Sequence, residues 1–267
     1  MRRPLVAAMP REVRVRPVRP NLGLEAAYQR RLDAAIAEMH RSVKRAVLAA
    51  YRDSPPEMAS DESPAVALRA MMRRLAREWN ARFAELAAGE GRKFGREAAA
   101  STDRSFAAAL RQAGFTVKFV VTPAVNDVIQ ATVGAQVALI KSIPAEYFTQ
   151  IEGAVMRSVQ AGHDAGMLSA NLQAEYGVTA RRAAIIARDQ NTKANASIVR
   201  VRQRELGITH ARWQHSAGGK VPRPEHVAFS GKEYDIEKGA FLEGKWTWPG
   251  VEINCRCVAI SIIRGAE

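Results

Sequence analysis

The residues best suited to chemistry lie near the C-terminal end. Cys255 and Cys257 are the only cysteines among 267 residues. The Val- and Ile-rich run from Cys255 to Ile263 predicts a strand, in which residues two apart face the same side. Both sulfurs would then address one zinc ion, with His226 and His215 completing a tetrahedral set. A small unit with little core gains most from such a clip. The spacing is not that of a Cys-x-x-Cys knuckle. The other reading is two buried, reduced thiols packing as small apolar groups. A disulfide inside Cys-x-Cys is disfavoured by its geometry.

Arg223 and His226, in the run Arg223-Pro224-Glu225-His226, admit a catalytic reading: His226 as general base, Arg223 as anion clamp, Cys255 as nucleophile. That reading lacks a second carboxylate and an oxyanion loop. Against it stands a structural role in which Arg223 and His226 tie a loop to a helix. A separate enzymatic reading is a metal-dependent hydrolase or nuclease using His226, Cys255 and Cys257. No Walker loop, HExxH or GxSxG occurs in the chain, so the expectation is a protein that is not an enzyme.

Further polar residues interrupt an apolar helical stripe at Arg188-Asp189-Gln190-Asn191-Thr192. Asp189, Thr192 and Asn195 lie three apart and share a face. Polar groups buried in mid-helix are costly unless paired. A buried network of Arg188, Asp189, Asn195 and Arg223, holding the C-terminal unit in place, is the expected role; a solvated face is the alternative.

These groups must be positioned by a mainly α chain: an extended multi-helix domain with a small C-terminal α+β, β-rich unit. Residues 1–20 form a basic arm with Arg2, Arg3, Arg11, Arg14, Arg16 and Arg19, punctuated by four prolines that block helix. The N-terminal helical region is assigned to 21–119. Tyr28, Leu32, Ile36, Met39, Val43, Val47 and Tyr51 make one stripe; Leu68, Met72, Leu75, Trp79, Phe83 and Leu86 make the next. Ser63–Pro64 and Thr122–Pro123 read as cap-plus-proline starts. Gly89 and Gly91 are expected to stop or bend the second helix, and Phe115–Val121 to run extended. A second helical part is assigned to 120–207, with Val128, Ala131, Ala135 and Leu139 on its core side. Breaks are expected near Lys141, from Gly162 to Gly166 and at Gly177, with Thr179 capping a last helix that Gly207 ends. Residues 208–267, with Gly218–Gly219, Pro222, Pro224 and Pro249–Gly250, read as a turn-rich β unit.

Apolar residues make up 47% and aromatics 6%, enough for a core and more suited to helices than to a β-sandwich. No unbroken apolar run reaches the length of a bilayer span, and the basic N-terminus is too short of apolar residues for a secretory signal. The net charge is +13 and the pI near 10.3, which suits a polyanionic partner. Arg30, Arg31, Lys44 and Arg45 extend the basic surface of the arm along the first helix. Aromatics do not interleave with these cations, so non-specific contact with double-stranded DNA is expected over base readout. A plain nucleic-acid-binding module is a further reading, without a helix-turn-helix or RNA-binding signature to support it.

Three pieces, in order, carry a resemblance: LIKSIPAEYFTQIEGAV (139–155), RRAAIIARDQNTKANASIVRVRQRELGITHARW (181–213), and RPEHVAFSGKEY followed by PGVEINCRC (223–257). Over roughly residues 120–263 the chain resembles the phage head morphogenesis family, the Mu F-like minor head proteins. It departs from the family where an acidic turn usually precedes Arg-Pro-x-His: here the turn is Ser216-Ala217-Gly218-Gly219-Lys220-Val221-Pro222, one residue longer and without the Asp. The resemblance implies a structural virion component, assembled in the host cytoplasm and carried inside the capsid near the portal. Its implied partners are the portal protein, a capsid or scaffolding protein and packaged DNA, with no membrane.

Overall fold

The computed structural model describes residues 12–53, 64–160, 165–218 and 221–264. Arg2, Arg3, Arg11, Ser63, Gly162 and Gly219 lie outside them. The chain is mainly helical with a small strand-rich C-terminal region, as its composition and periodicity predict. In order come β1 (Glu12–Arg14), α1 (Leu22–Asp53), α2 (Pro64–Gln112), α3 (Pro123–Gln160), α4 (Ala165–Glu205), β2 (His210–Gln214), α5 (Pro224–Ala228), β3 (Glu233–Asp235), β4 (Ala240–Leu242), β5 (Lys245–Thr247) and β6 (Val258–Arg264). Two compact units result. One comprises residues 23–94 and 132–188, of which the described residues are nearly all helical; the other comprises residues 1–22, 95–131 and 189–267, of which the described residues mix helix and strand.

In the all-helical unit the α1 stripe from Tyr28 to Tyr51 is buried, as is the α2 stripe Leu68, Met72, Leu75, Trp79 and Phe83; Ala87 is buried where Leu86 is only half-buried. Several polar groups inside this core are matched, although Trp79 Nε1 and His40 Nε2 are buried without a hydrogen-bond partner. Tyr28 donates its hydroxyl to the buried Gln136, His40 Nδ1 lies 3.0 Å from the Tyr147 hydroxyl, and the His40 ring stacks on Tyr176.

The helices are longer than their breakers predict. α2 runs straight through Gly89 and Gly91. A Cβ on Gly91 would come within 3.2 Å of Val137 and 3.3 Å of the Val133 carbonyl, so this glycine lets α2 approach α3 and does not end a helix. α3 continues past Lys141 with Pro144 inside it; the Ser142 hydroxyl donates to the Leu139 carbonyl one turn back. Gly177 and Thr179 lie within α4, where Thr179 donates to the Glu175 carbonyl instead of capping. The Thr122 cap is present: the Val125 N–H donates to Thr122 Oγ1 at 3.3 Å. The core face of α3 is Val125, Ile129, Gln136, Ile140 and Ile143, while Ala131 and Ala135 are exposed and Val128 and Leu139 half-buried. Alanine on every face blurs the helical period, and buried Gln136 hid the true one.

By length and composition α3 meets the measure of a membrane-crossing helix, with 28% of its most apolar stretch buried. This qualifies the reading from unbroken apolar runs, because Asn126, Asp127, Gln130 and Gln136 interrupt the helix. A single such helix does not by itself place a chain in a bilayer.

The mixed unit is built on a four-stranded antiparallel sheet of order β1-β6-β2-β3, with β4 and β5 as a separate hairpin. Residues 12–14 are therefore no free arm. Val13 pairs with Ile263, Val15 and Val18 are buried, and α4 reaches up to the segment through Asn195 (Nδ2 to the Val18 carbonyl, 3.1 Å) and Asn191 (Nδ2 to the Asn21 carbonyl, 3.0 Å). Phe115, Val117 and Phe119 are extended without pairing as a strand and pack on the same core, whose largest buried side chain is Trp213 of β2. α4 ends as expected: Gly207 takes φ +69° and the Ile208 N–H returns to the Gln203 carbonyl.

Candidate metal centre

The cysteines sit ahead of β6, in the short link between a turn that ends at Asn254 and the strand, and not within the strand. A turn and not the two-residue pleat therefore aligns their side chains. Asn254 has φ +57° and the Cys255 N–H donates to the Glu252 carbonyl, which sets the sulfurs inward. His226 comes from α5, whose N-cap is Arg223 and whose first residue is Pro224. His226 Nδ1 lies 3.6 Å from Cys255 Sγ and 3.8 Å from Cys257 Sγ. All three side chains are buried, and the three atoms lie within 4.8 Å of one another. The His226 ring meets Trp213 edge to face, centroids 5.0 Å apart.

The Cys257 thiol donates to Cys255, and backbone N–H groups of Cys257 and Gly250 and the charge of His226 add to that donation. Together they pull the Cys255 thiol far below its ordinary value, against the opposing effect of burial. Cys257 is pushed the other way, above the ordinary thiol value, by its interaction with Cys255 and by burial. Gly250 reaches Cys255 only because it has no side chain. At φ +82° a Cβ would stand 3.0 Å from Ala196 and 3.2 Å from the Cys257 carbonyl.

The peptide group just ahead of Cys255 is held from both sides. The Asn254 N–H donates to Asp189 Oδ1 at 2.7 Å, and Arg223 Nη2 donates to the Ile253 carbonyl at 3.0 Å. Asp189 is balanced by Lys193, one turn on along α4, at 2.8 Å. Asn195 does not join this group: it accepts from the Thr102 hydroxyl and donates to Val18. Arg188 precedes them on α4, in the segment counted with the all-helical unit. His215 is not among the three clustered atoms. It accepts the Ala217 N–H through Nδ1 at 3.1 Å and lines, with Ser216, Arg223, His226, Cys255, Arg256 and Cys257, a cavity of about 40 Å³. Among the described residues no carboxylate lines that cavity.

The basic residues scatter. Arg14 pairs with Glu12 at 2.8 Å and Arg31 pairs with Glu90. Arg16 and Arg19 are exposed along a groove with Pro17, Ser105 and Gln112. Arg30 and Arg45 are exposed and Lys44 half-buried. One cation is committed inward that its surroundings in sequence did not mark: Arg202, 1% exposed, makes a two-pronged pair with Asp103 (2.8 and 2.7 Å), bonds Glu205 and the Val120 carbonyl, and lies over Phe119. Among so many arginines nothing but its place on the α4 core face distinguished it. Asn254 and Gly250 were likewise unmarked, apart from the turn-forming Pro249–Gly250 pair.

The fold and this centre define a helical protein whose small β unit is fastened to α4 by a doubly held peptide and organised around a buried Cys/His cluster. Residues 149–260 match the family model described as Phage Mu protein F like protein, and the resemblance read from the three sequence pieces holds over that segment. Asp189, Arg223, His226, Cys255 and Cys257 all fall within it. An uncharacterized protein of Haemophilus influenzae is 31% identical over 146 residues, which cover 55% of this chain and 32% of that relative. The chain thus spans about a third of the length of the curated relative it matches. No solved structure matches the chain.

Proposed function

We propose that the chain is a minor head protein of a tailed phage or prophage, held near the portal inside the capsid. It would touch packaged DNA through non-specific charge contacts. The family match over residues 149–260 carries this reading. It is supported by what the most distinctive residues of that segment do. Asp189 and Arg223 fasten a turn, and His226 is buried against Trp213. The net charge of +13 suits a polyanionic neighbour. In a reconstruction of the virion the chain is expected as density beside the portal; consistent absence from procapsids and mature particles sinks the proposal. The purified chain is expected to bind duplex DNA without regard to sequence, with affinity that falls steeply as salt rises.

A second reading, a metal-dependent hydrolase or nuclease, is favoured by the buried His226, Cys255 and Cys257 trio alone. No carboxylate among the described residues lines the adjoining cavity to serve as its general base. A nuclease assay on folded Cys257→Ser separates the two: lost turnover in a folded variant supports the enzyme.

A further inference from the structure

We propose that His226, Cys255 and Cys257 bind one zinc ion through Nδ1 and two Sγ atoms, with the fourth position opening on the small cavity lined by His215. The first support is metric. Zinc bonds of about 2.3 Å to sulfur and about 2.0–2.1 Å to nitrogen in a tetrahedron give N···S edges of about 3.6 Å and an S···S edge of about 3.8 Å. The two N···S separations are 3.6 and 3.8 Å. The two N···S edges need adjustments of a few tenths of an ångström at most, and the two sulfurs, within 4.8 Å of each other, need only draw together to complete the triangle.

The second support is that the cluster is unfinished as packing. His226 Nε2 is buried without a hydrogen-bond partner, and its Nδ1 faces only sulfur. Buried imidazoles ordinarily satisfy at least one nitrogen with a strong partner. A metal on Nδ1 supplies it. The turn ahead of the cysteines is closed by the Cys255 N–H bonding to the Glu252 carbonyl, which sets where the sulfurs stand before any ion arrives. The Asp189–Arg223 grip on the preceding peptide fixes the same turn.

The third support is selectivity. Two thiolates and an imidazole are a soft donor set, which prefers zinc over magnesium or calcium. Bound there, zinc would pin α5 to the start of β6, two elements that neither share a sheet nor lie close in sequence. Its role would be structural, and the proposal stands independently of the phage-head reading. Metal content is read on the purified chain, whereas location is read on particles.

The test uses the full chain purified from zinc-supplemented cells. Elemental analysis is expected to find about one zinc per chain. A thiol reagent should label neither cysteine until a strong chelator is added, and both afterwards. Refilling with cobalt(II) should give sulfur-to-metal charge-transfer bands and the intense visible bands of a tetrahedral site. Cys257→Ser and His226→Ala should each lower retained metal at least about tenfold. If those variants fail to fold, the cobalt spectrum of the unaltered chain decides, because it reports sulfur ligation directly. Negligible zinc, no cobalt–thiolate band and two thiols that react without chelator would together overturn the proposal.

Discussion

Asp189 and Arg223 hold opposite sides of a single peptide group: the carboxylate takes the Asn254 N–H and the guanidinium donates to the Ile253 carbonyl. One residue is in mid-helix and the other caps a five-residue helix, so the turn ahead of Cys255 is fixed relative to both. Asp189→Ala is expected to cost about 1–2 kcal/mol of stability for the loss of a part-buried, charge-assisted bond, and Arg223→Ala less, about 0.5–1.5 kcal/mol, because its bond is exposed to water. Since they share one peptide, the double variant should depart from additivity by at least about 0.5 kcal/mol. Urea denaturation of the four proteins measures this; strict additivity would show that the two bonds act separately.

Arg202 is the costliest charge to disturb. Its side chain is buried in the mixed unit, paired with the partly exposed Asp103 and Glu205. Arg202→Met should destabilise by about 1.5–3 kcal/mol, since it removes charge-assisted hydrogen bonds to both carboxylates. Arg202→Lys should recover only part of that, because an ammonium cannot reproduce the two-pronged bond to Asp103. Thermal unfolding of the two variants checks the order.

Gly250→Ala should cost about 1–2 kcal/mol for the left-handed backbone alone, and more from the close approach of a Cβ to Ala196 and the Cys257 carbonyl. Its distinctive sign would be faster labelling of Cys255 by a thiol reagent, because the Gly250 N–H moves off the sulfur. Unfolding and labelling rates, measured side by side, separate this from general loosening.

His40 gives the all-helical unit a pH dependence. Burial holds its imidazole below the ordinary value, reinforced by Lys44 and Arg41 and partly offset by the Gln173 side chain. An unfolded histidine titrates near about 6.5. Below that pH the unfolded chain takes up a proton that the folded one resists, so stability is full above it and falls as the pH drops toward the folded value. The melting temperature should decline on acidification through this window, and His40→Gln should flatten the decline.

Arg16 and Arg19 are exposed on the same groove of the mixed unit. If DNA lies along that groove, replacing both with alanine should make the slope of log affinity against log salt shallower by about one for each phosphate they neutralise. Binding titrations over a range of salt concentrations measure the slope, and an unchanged value would place the DNA elsewhere.

Much of this fold was legible where one period repeats over many turns. The α1 stripe from Tyr28 to Tyr51 has a large apolar residue at every inward position, and it is buried as read. Punctuation misled where tertiary packing overrode it. Gly91 serves a helix crossing, Pro144 and Gly177 are absorbed within helices, and Thr179 bonds its own helix backward. The pairing of β1 with β6 was illegible because three residues carry no period and their partner lies at the far end of the sequence. At the candidate centre the residue types could be read from the sequence. Their convergence came from a turn with a positive φ at Asn254 and not from the strand geometry that first suggested it.

The register that sets Glu12 against Arg264 also governs the order in which the molecule can be made. A ribosome must deliver nearly all of these residues before the first strand finds its neighbour. Until then Val15 and Val18 have no finished sheet to lie beneath. Pairings this distant along the chain close slowly. The all-helical unit, complete once residue 188 has emerged, has no such wait.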